Sequence, residues 1–172
     1  MSFTGSLSKL AAAAAVSLVA ALPAHAGKGM LTAAATAPSA SLVSTFVDIN
    51  MAGWQSAGDF GDPGNTSVFV PIGIGSTVTG WSFTGLTVTT QGASYLSEFV
   101  ISVNNSDGSE WFDATISDVD DSGTFGPADG SWETGPLLDG APFVVGDGTM
   151  LVTVYELFDD DGTDAIVSAG TL

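Results

Sequence analysis

The chain has 172 residues, with 19 acidic side chains against two basic ones, a formal net charge of −17, one histidine and no cysteine. A surface this acidic repels nucleic acid and anionic lipid, because both need Lys or Arg to replace their counterions. The lack of cysteine excludes a disulfide framework, a thiolate nucleophile and a zinc knuckle, and the length suits one domain.

Residues 1–26 have the layout of a secretory signal peptide. Lys9 precedes a mostly apolar run from Leu10 to Leu22, and Pro23 leads into the small-x-small site Ala24-His25-Ala26. The run is short for a membrane span, which takes about 20 residues, and no cysteine follows to accept a lipid. The expectation is therefore cleavage after Ala26, export to the periplasm or the medium, and no stable membrane insertion afterwards. The mature chain keeps all 19 carboxylates, with Lys28 as its only basic side chain. Without imidazole or thiol, Ser-His-Asp and Cys-His machinery is excluded, and without Arg there is no bidentate clamp for carboxylate or phosphate. Carboxylates, hydroxyls, tyrosines and hard-metal binding through oxygen remain.

Gly27 to Ser41 is rich in Ala, Ser, Thr and Gly, has no apolar period, and reads as a flexible arm. From Leu42 onward, short apolar or alternating runs are separated by Gly, Asp, Asn, Pro and Ser. The predicted strands are Leu42–Ile49, Ser67–Ile72, Thr77–Phe83, Leu86–Thr90, Glu98–Val103, Trp111–Ile116, Phe143–Val145, Thr149–Leu157 and Ala165–Leu172. In the eighth of these, Leu151, Thr153 and Tyr155 take one face, and Val152, Val154 and Glu156 the other. No segment past residue 26 sustains a helical apolar period. Eight or nine short strands with frequent turns predict an all-β fold over 42–172: a single antiparallel β-sandwich of jelly-roll type, preceded by a cleaved signal helix.

The carboxylates gather in the connections. Asp59, Asp62 and Asn65 form one group, Asp107 and Glu110 a second, Asp118, Asp120, Asp121 and Asp129 a third, and Asp159, Asp160, Asp161 and Asp164 a fourth. Asp, Asn and Gly are turn formers, and acidic turns keep an exported protein soluble. The third group carries a sharper pattern. Asp118, Asp120, Ser122 and Asp129 stand at positions 1, 3, 5 and 12 of a twelve-residue loop, Gly123 at position 6 and the Thr124 carbonyl at position 7. This resembles the calcium loop of EF-hands and, with Asp at the last position, that of dockerins. Ser122 replaces the usual Asp or Asn, and Gly130-Ser-Trp-Glu-Thr-Gly-Pro136 cannot continue as a helix, so the likeness is one of loop and not of fold. It implies Ca²⁺ held by Asp118, Asp120, Ser122, Thr124 and Asp129. Extracellular calcium, at about millimolar, fills even weak sites.

Trp54, Trp81, Trp111, Trp132 and Tyr95 fall near strand ends or turns, where a jelly roll presents flat rings to sugars; packing into the core is the stronger expectation for each. Gly61-Asp-Pro-Gly-Asn-Thr-Ser-Val-Phe-Val-Pro-Ile72, Val78-Thr-Gly-Trp-Ser-Phe83 and Ala93-Ser-Tyr-Leu-Ser-Glu98 resemble secreted bacterial jelly-roll proteins. Met150-Leu-Val-Thr-Val-Tyr-Glu-Leu-Phe-Asp-Asp-Asp-Gly-Thr-Asp164 and Ser168-Ala-Gly-Thr-Leu172 are similar to the last strands of proprotein-convertase P domains. The resemblance implies a jelly roll, bound calcium and an accessory role beside other domains, and it brings no catalytic residues.

Three functions stay open. The leading expectation is a secreted, non-enzymatic β-sandwich that binds a surface, a glycan or its own copies, with calcium-stabilised loops. The second is a subunit of an extracellular fibre or sheath whose N-terminal arm adds a strand to a neighbour. The third is a carboxylate-only polysaccharide hydrolase, with Glu98, Glu110, Glu133 and Glu156 as first candidates.

Overall fold

The computed structural model describes residues 44–136, 138–160 and 162–172. The expected signal peptide, the arm 27–41, the start of the first predicted strand and Asp161 lie outside the described residues. Among the described residues, eleven strands and one short 3₁₀ turn follow one another: β1 (Gln55–Ser56), β2 (Ser67–Pro71), β3 (Ser76–Val78), β4 (Ser82–Thr90), β5 (Phe99–Asn105), β6 (Trp111–Thr115), β7 (Thr124–Ser131), η1 (Trp132–Thr134), β8 (Leu138–Gly140), β9 (Phe143–Val145), β10 (Thr149–Glu156) and β11 (Ala165–Thr171). Every paired neighbour is antiparallel. One sheet has the order β1-β11-β4-β7, the other β2-β10-β5-β6-β8, and β3 pairs with β9 beside them. Without β3, β8 and β9, eight principal strands remain, and their order is first-eighth-third-sixth in one sheet and second-seventh-fourth-fifth in the other. That is jelly-roll connectivity, two interlocked Greek keys.

Alternation builds the core. Phe99, Ile101 and Val103 on β5, Phe112 and Ala114 on β6, and Met150, Val152 and Val154 on β10 meet Phe83, Leu86 and Val88 on β4 and Ala165 and Val167 on β11. Each buried Val, Leu, Ile, Phe or Met of this set stabilises the fold by about 1.5–3 kcal/mol relative to exposure. Met51 and Trp54 close the core ahead of β1. The predicted facing of β10 holds, and it sends Glu156 inward with Val152 and Val154.

Three expectations need correction. The segment predicted as a strand over Leu42–Ile49 forms no strand over residues 44–49; pairing begins only where Ile49 and Leu172 exchange hydrogen bonds at 2.7 and 2.9 Å. Thr77–Phe83 is not continuous, because Gly80 at φ +147° separates β3 from β4. The Trp132 indole lies over that glycine where a Cβ would stand. Finally, Thr124–Ser131 is a strand where a loop was expected. Among the described residues it is an edge strand paired only with β4, a position in which Pro127 costs no ladder bond to a second neighbour.

Candidate functional site

The outer face of the five-stranded sheet carries the polar side chains that alternate with the core. Register sets Ser102 opposite both Asp113 and Thr153, Asn104 opposite Trp111, and Asp113 opposite Asp139. Cross-strand partners lie about 4.5–5.5 Å apart at Cβ, so these groups form one polar layer, in which Ser102, Asn104 and Thr153 are buried, Asp113 is half-buried and Trp111 is exposed. Ser102 Oγ donates to Asp113 Oδ1, and Tyr155 Oη donates to Asp113 Oδ2 at 3.0 Å. Asn104 Nδ2 donates to Ser102 Oγ at 2.8 Å, and Trp111 Nε1 to Asp139 Oδ2 at 3.3 Å. The Phe60 ring, from the connection between β1 and β2, stands edge-on to Tyr155 with centroids 5.6 Å apart. Phe60, Asn104, Gly108, Trp111, Asp113 and Tyr155 line a groove of about 210 Å³.

Electrostatics in the groove follow from partial burial. Loss of water pushes the Asp113 carboxyl up; the hydrogen bonds from Ser102 and Tyr155 oppose the shift, and the negative charge of Asp139 adds to it. Burial, then the adjacent Asp113 charge, holds the Tyr155 phenol above its usual value, so it stays a donor at neutral pH. Both Asp113 oxygens are occupied, so this carboxylate orients its neighbours. The result is three aromatic rings around a floor of fixed donors and acceptors.

A second set of polar residues sits at one end of the sandwich. Glu156 and Asp164 are buried, as are Ser56 and Ser94. Ser56 Oγ donates to Glu156 Oε1 at 2.5 Å, and the Asp164 N–H donates to the Ser56 carbonyl at 2.9 Å. Burial, only partly offset by Ser56, pushes Glu156 up to about 8, with Asp164, Glu98 and Asp160 adding repulsion. Burial likewise raises Asp164; Ser94 opposes this, and Asp160, Asp159 and Glu98 reinforce it. Gly58 turns with φ +141°, and a Cβ there would meet Asp159 Oδ1 at 3.0 Å and Asp62 Cγ at 3.5 Å. Asn65 fastens this turn by donating to the Gly58 and Asp59 carbonyls at 3.2 and 2.8 Å. The first and fourth acidic groups therefore meet in space.

The twelve residues expected to form a calcium loop are divided between a connection and a strand. Asp118, Asp120 and Ser122 are exposed in the connection after β6, where Ser97 Oγ donates to Asp120 Oδ1 at 2.6 Å. Thr124 begins β7 opposite Thr89, and Asp129 lies five residues along that strand, accepting from the Gly85 N–H at 2.8 Å. A strand advances about 3.3 Å per residue, so Asp129 stands five residues of extended chain beyond Thr124. Among the described residues, no three acidic side chains converge to hold a metal ion.

Of the four glutamates, Glu156 is fully buried, Glu98 accepts from the Tyr95 N–H at 2.9 Å, and Glu110 and Glu133 are exposed on other connections. Trp54 and Trp81 pack into the core and Trp132 lies against Phe112 with centroids 4.5 Å apart, as expected, whereas Tyr95 and Trp111 are exposed. Sequence reasoning missed Phe60, Asn104, Asp113 and Tyr155. A carboxylate alternating with core residues inside Trp111-Phe-Asp-Ala-Thr115 was the available signal. No family model matches the chain, and neither a curated protein nor a solved structure matches it.

Proposed function

We propose that this chain is an exported, non-enzymatic β-sandwich that binds a neutral glycan in the groove on its five-stranded sheet. The observation that carries the reading is the exposed Trp111 ring, 38% accessible, beside Tyr155 and Phe60 over the Asn104–Ser102–Asp113 hydrogen-bond chain. Sugars present apolar C–H faces and hydroxyl edges, and a site pairing rings with fixed polar groups suits both. The net charge of −17, with no Arg anywhere, disfavours acidic polysaccharides and leaves neutral ones. The signal-peptide layout of residues 1–26 supports a location outside the cytoplasm, and the resemblance to P domains agrees with an accessory role.

The test is binding to a panel of neutral polysaccharides (cellulose, xylan, mannan, β-glucan) by affinity electrophoresis and tryptophan fluorescence. At least one should retard the wild type, and Trp111→Ala should weaken binding about tenfold or more. No retardation on any of them would refute the reading. Release of reducing sugar that disappears in Asp113→Asn or Asp139→Asn would instead assign hydrolysis to that facing pair.

A further inference from the structure

Two carboxylates enter the interior at one end of the sandwich, and no side chain of the domain can neutralise them. Glu156 is 0% and Asp164 1% exposed, and residues 44–172 contain no Lys, Arg or His. Ser56 touches both, through its hydroxyl to Glu156 and its carbonyl to the Asp164 N–H. Glu156 Oε2 is buried without a hydrogen-bond partner, and Asp164 Oδ2 and Ser94 Oγ, from residues 1% and 0% exposed, have no well-formed hydrogen bond beyond their weak contact with each other. Ser94 lies close enough to act on the Asp164 carboxyl, and Asp164 acts on Glu156, so the three groups share one locality. A buried polar atom without a partner costs about 1–3 kcal/mol, and more when charged. Native folds rarely leave such oxygens without full partners.

We propose that Glu156, Asp164 and Ser94 hold a divalent cation, with Ca²⁺ the fitting ion, and that backbone carbonyls and water complete its shell. The donor set is oxygen only, which suits hard cations. It comes from the end of β10, the approach to β11 and the turn after β4, three segments of irregular spacing, and Ca²⁺ tolerates such geometry better than Mg²⁺ does. The ion would tie these segments together. The site faces inward from Glu156, whereas the groove uses the outward Tyr155 beside it, so the proposal is independent of the glycan reading.

Full-length exported protein, stripped with EDTA, is dialysed against millimolar ⁴⁵Ca²⁺ and melted with and without the ion. One retained Ca²⁺ per chain and a rise in Tm of several degrees are expected. Glu156→Gln and Asp164→Asn should each lose the retained ion and the rise, while the exposed Asp118→Asn/Asp120→Asn pair should keep both. Ser94→Ala, a gentler change in case the carboxylate variants fail to fold, should weaken Ca²⁺ affinity about tenfold, consistent with loss of one ligand. A wild type that retains no Ca²⁺, or undiminished retention in Glu156→Gln, Asp164→Asn or Ser94→Ala, would overturn the proposal.

Discussion

Asp113 organises the groove because it accepts from two strands at once: Ser102 on β5 and Tyr155 on β10. Tyr155→Phe keeps the ring against Phe60 but removes one donor from a half-buried carboxylate. Urea unfolding should show a loss of about 1–2 kcal/mol, and glycan affinity should fall less than in Trp111→Ala. The same carboxylate gives a pH signature. Its folded pKa is raised above 3.8, so between that value and the raised one the native state binds more protons than the unfolded state. Its contribution to stability is then complete below about 3.8 and is lost as pH rises through the folded value. Asp113→Asn should flatten that decline in the difference between wild-type and variant unfolding curves; parallel curves would show that Asp113 is not burdened by burial. Composition hides such a residue among 19 carboxylates, and only its place in an alternating strand distinguishes it. Asn104 was hidden differently, since it stands among the turn formers of Asn104-Asn-Ser-Asp-Gly108, whereas its side chain is buried and donates to Ser102.

At the level of elements, the strands with apolar alternation were legible, the edge strands β2 and β9 among them, whereas the edge strands β1, β7 and β8 were not. β5, β6, β10 and β11 lie within one or two residues of their predicted bounds because each puts a Val, Ile, Phe or Ala into the core on every second residue. β7 has no such row. Its residues Thr-Phe-Gly-Pro-Ala-Asp-Gly-Ser pair with β4 on one side only, so pairing with β4, and not burial, makes it a strand. Local composition therefore favoured a turn, and the oxygen spacing of Asp118 to Asp129 looked like a loop. The break at Gly80 is similarly tertiary in origin: Trp132 from the turn after β7 occupies the space of a Cβ. Gly80→Ala should expel that indole from its contact with Phe112 and lower stability by about 1–3 kcal/mol, seen as reduced Tm and altered tryptophan fluorescence. An unchanged Tm would mean that the indole has a second place to go.

Over the whole molecule, charge and connectivity meet in one consequence. Jelly-roll winding brings the connections β1–β2, β4–β5, β6–β7 and β10–β11 to the same end, which is why acidic groups far apart in sequence become neighbours. Asp62 and Asp159 flank Gly58, the Leu96 N–H donates to the Asp121 carbonyl at 3.1 Å, and the Glu98 and Asp160 charges act on Glu156. Sequence spacing reported the four acidic groups as separate; only strand order shows that three of them converge. Their mutual repulsion opposes folding and has no basic partner within residues 44–172. Monovalent salt should therefore stabilise the EDTA-treated protein. Raising ionic strength from about 0.01 to 0.15 M shortens the Debye length from about 30 to 8 Å, which screens the exposed carboxylates from one another while leaving buried Glu156 and Asp164 largely unaffected. Tm should rise over that interval, equally for NaCl and KCl, because screening does not distinguish the ions. Asp159→Asn/Asp160→Asn should reproduce part of the rise at low salt by removing charge at the crowded end, whereas Asp107→Asn/Asp147→Asn, on other connections, should do so less. A Tm indifferent to salt would mean that the acidic end is already neutralised, by protons or by a cation that survives chelation.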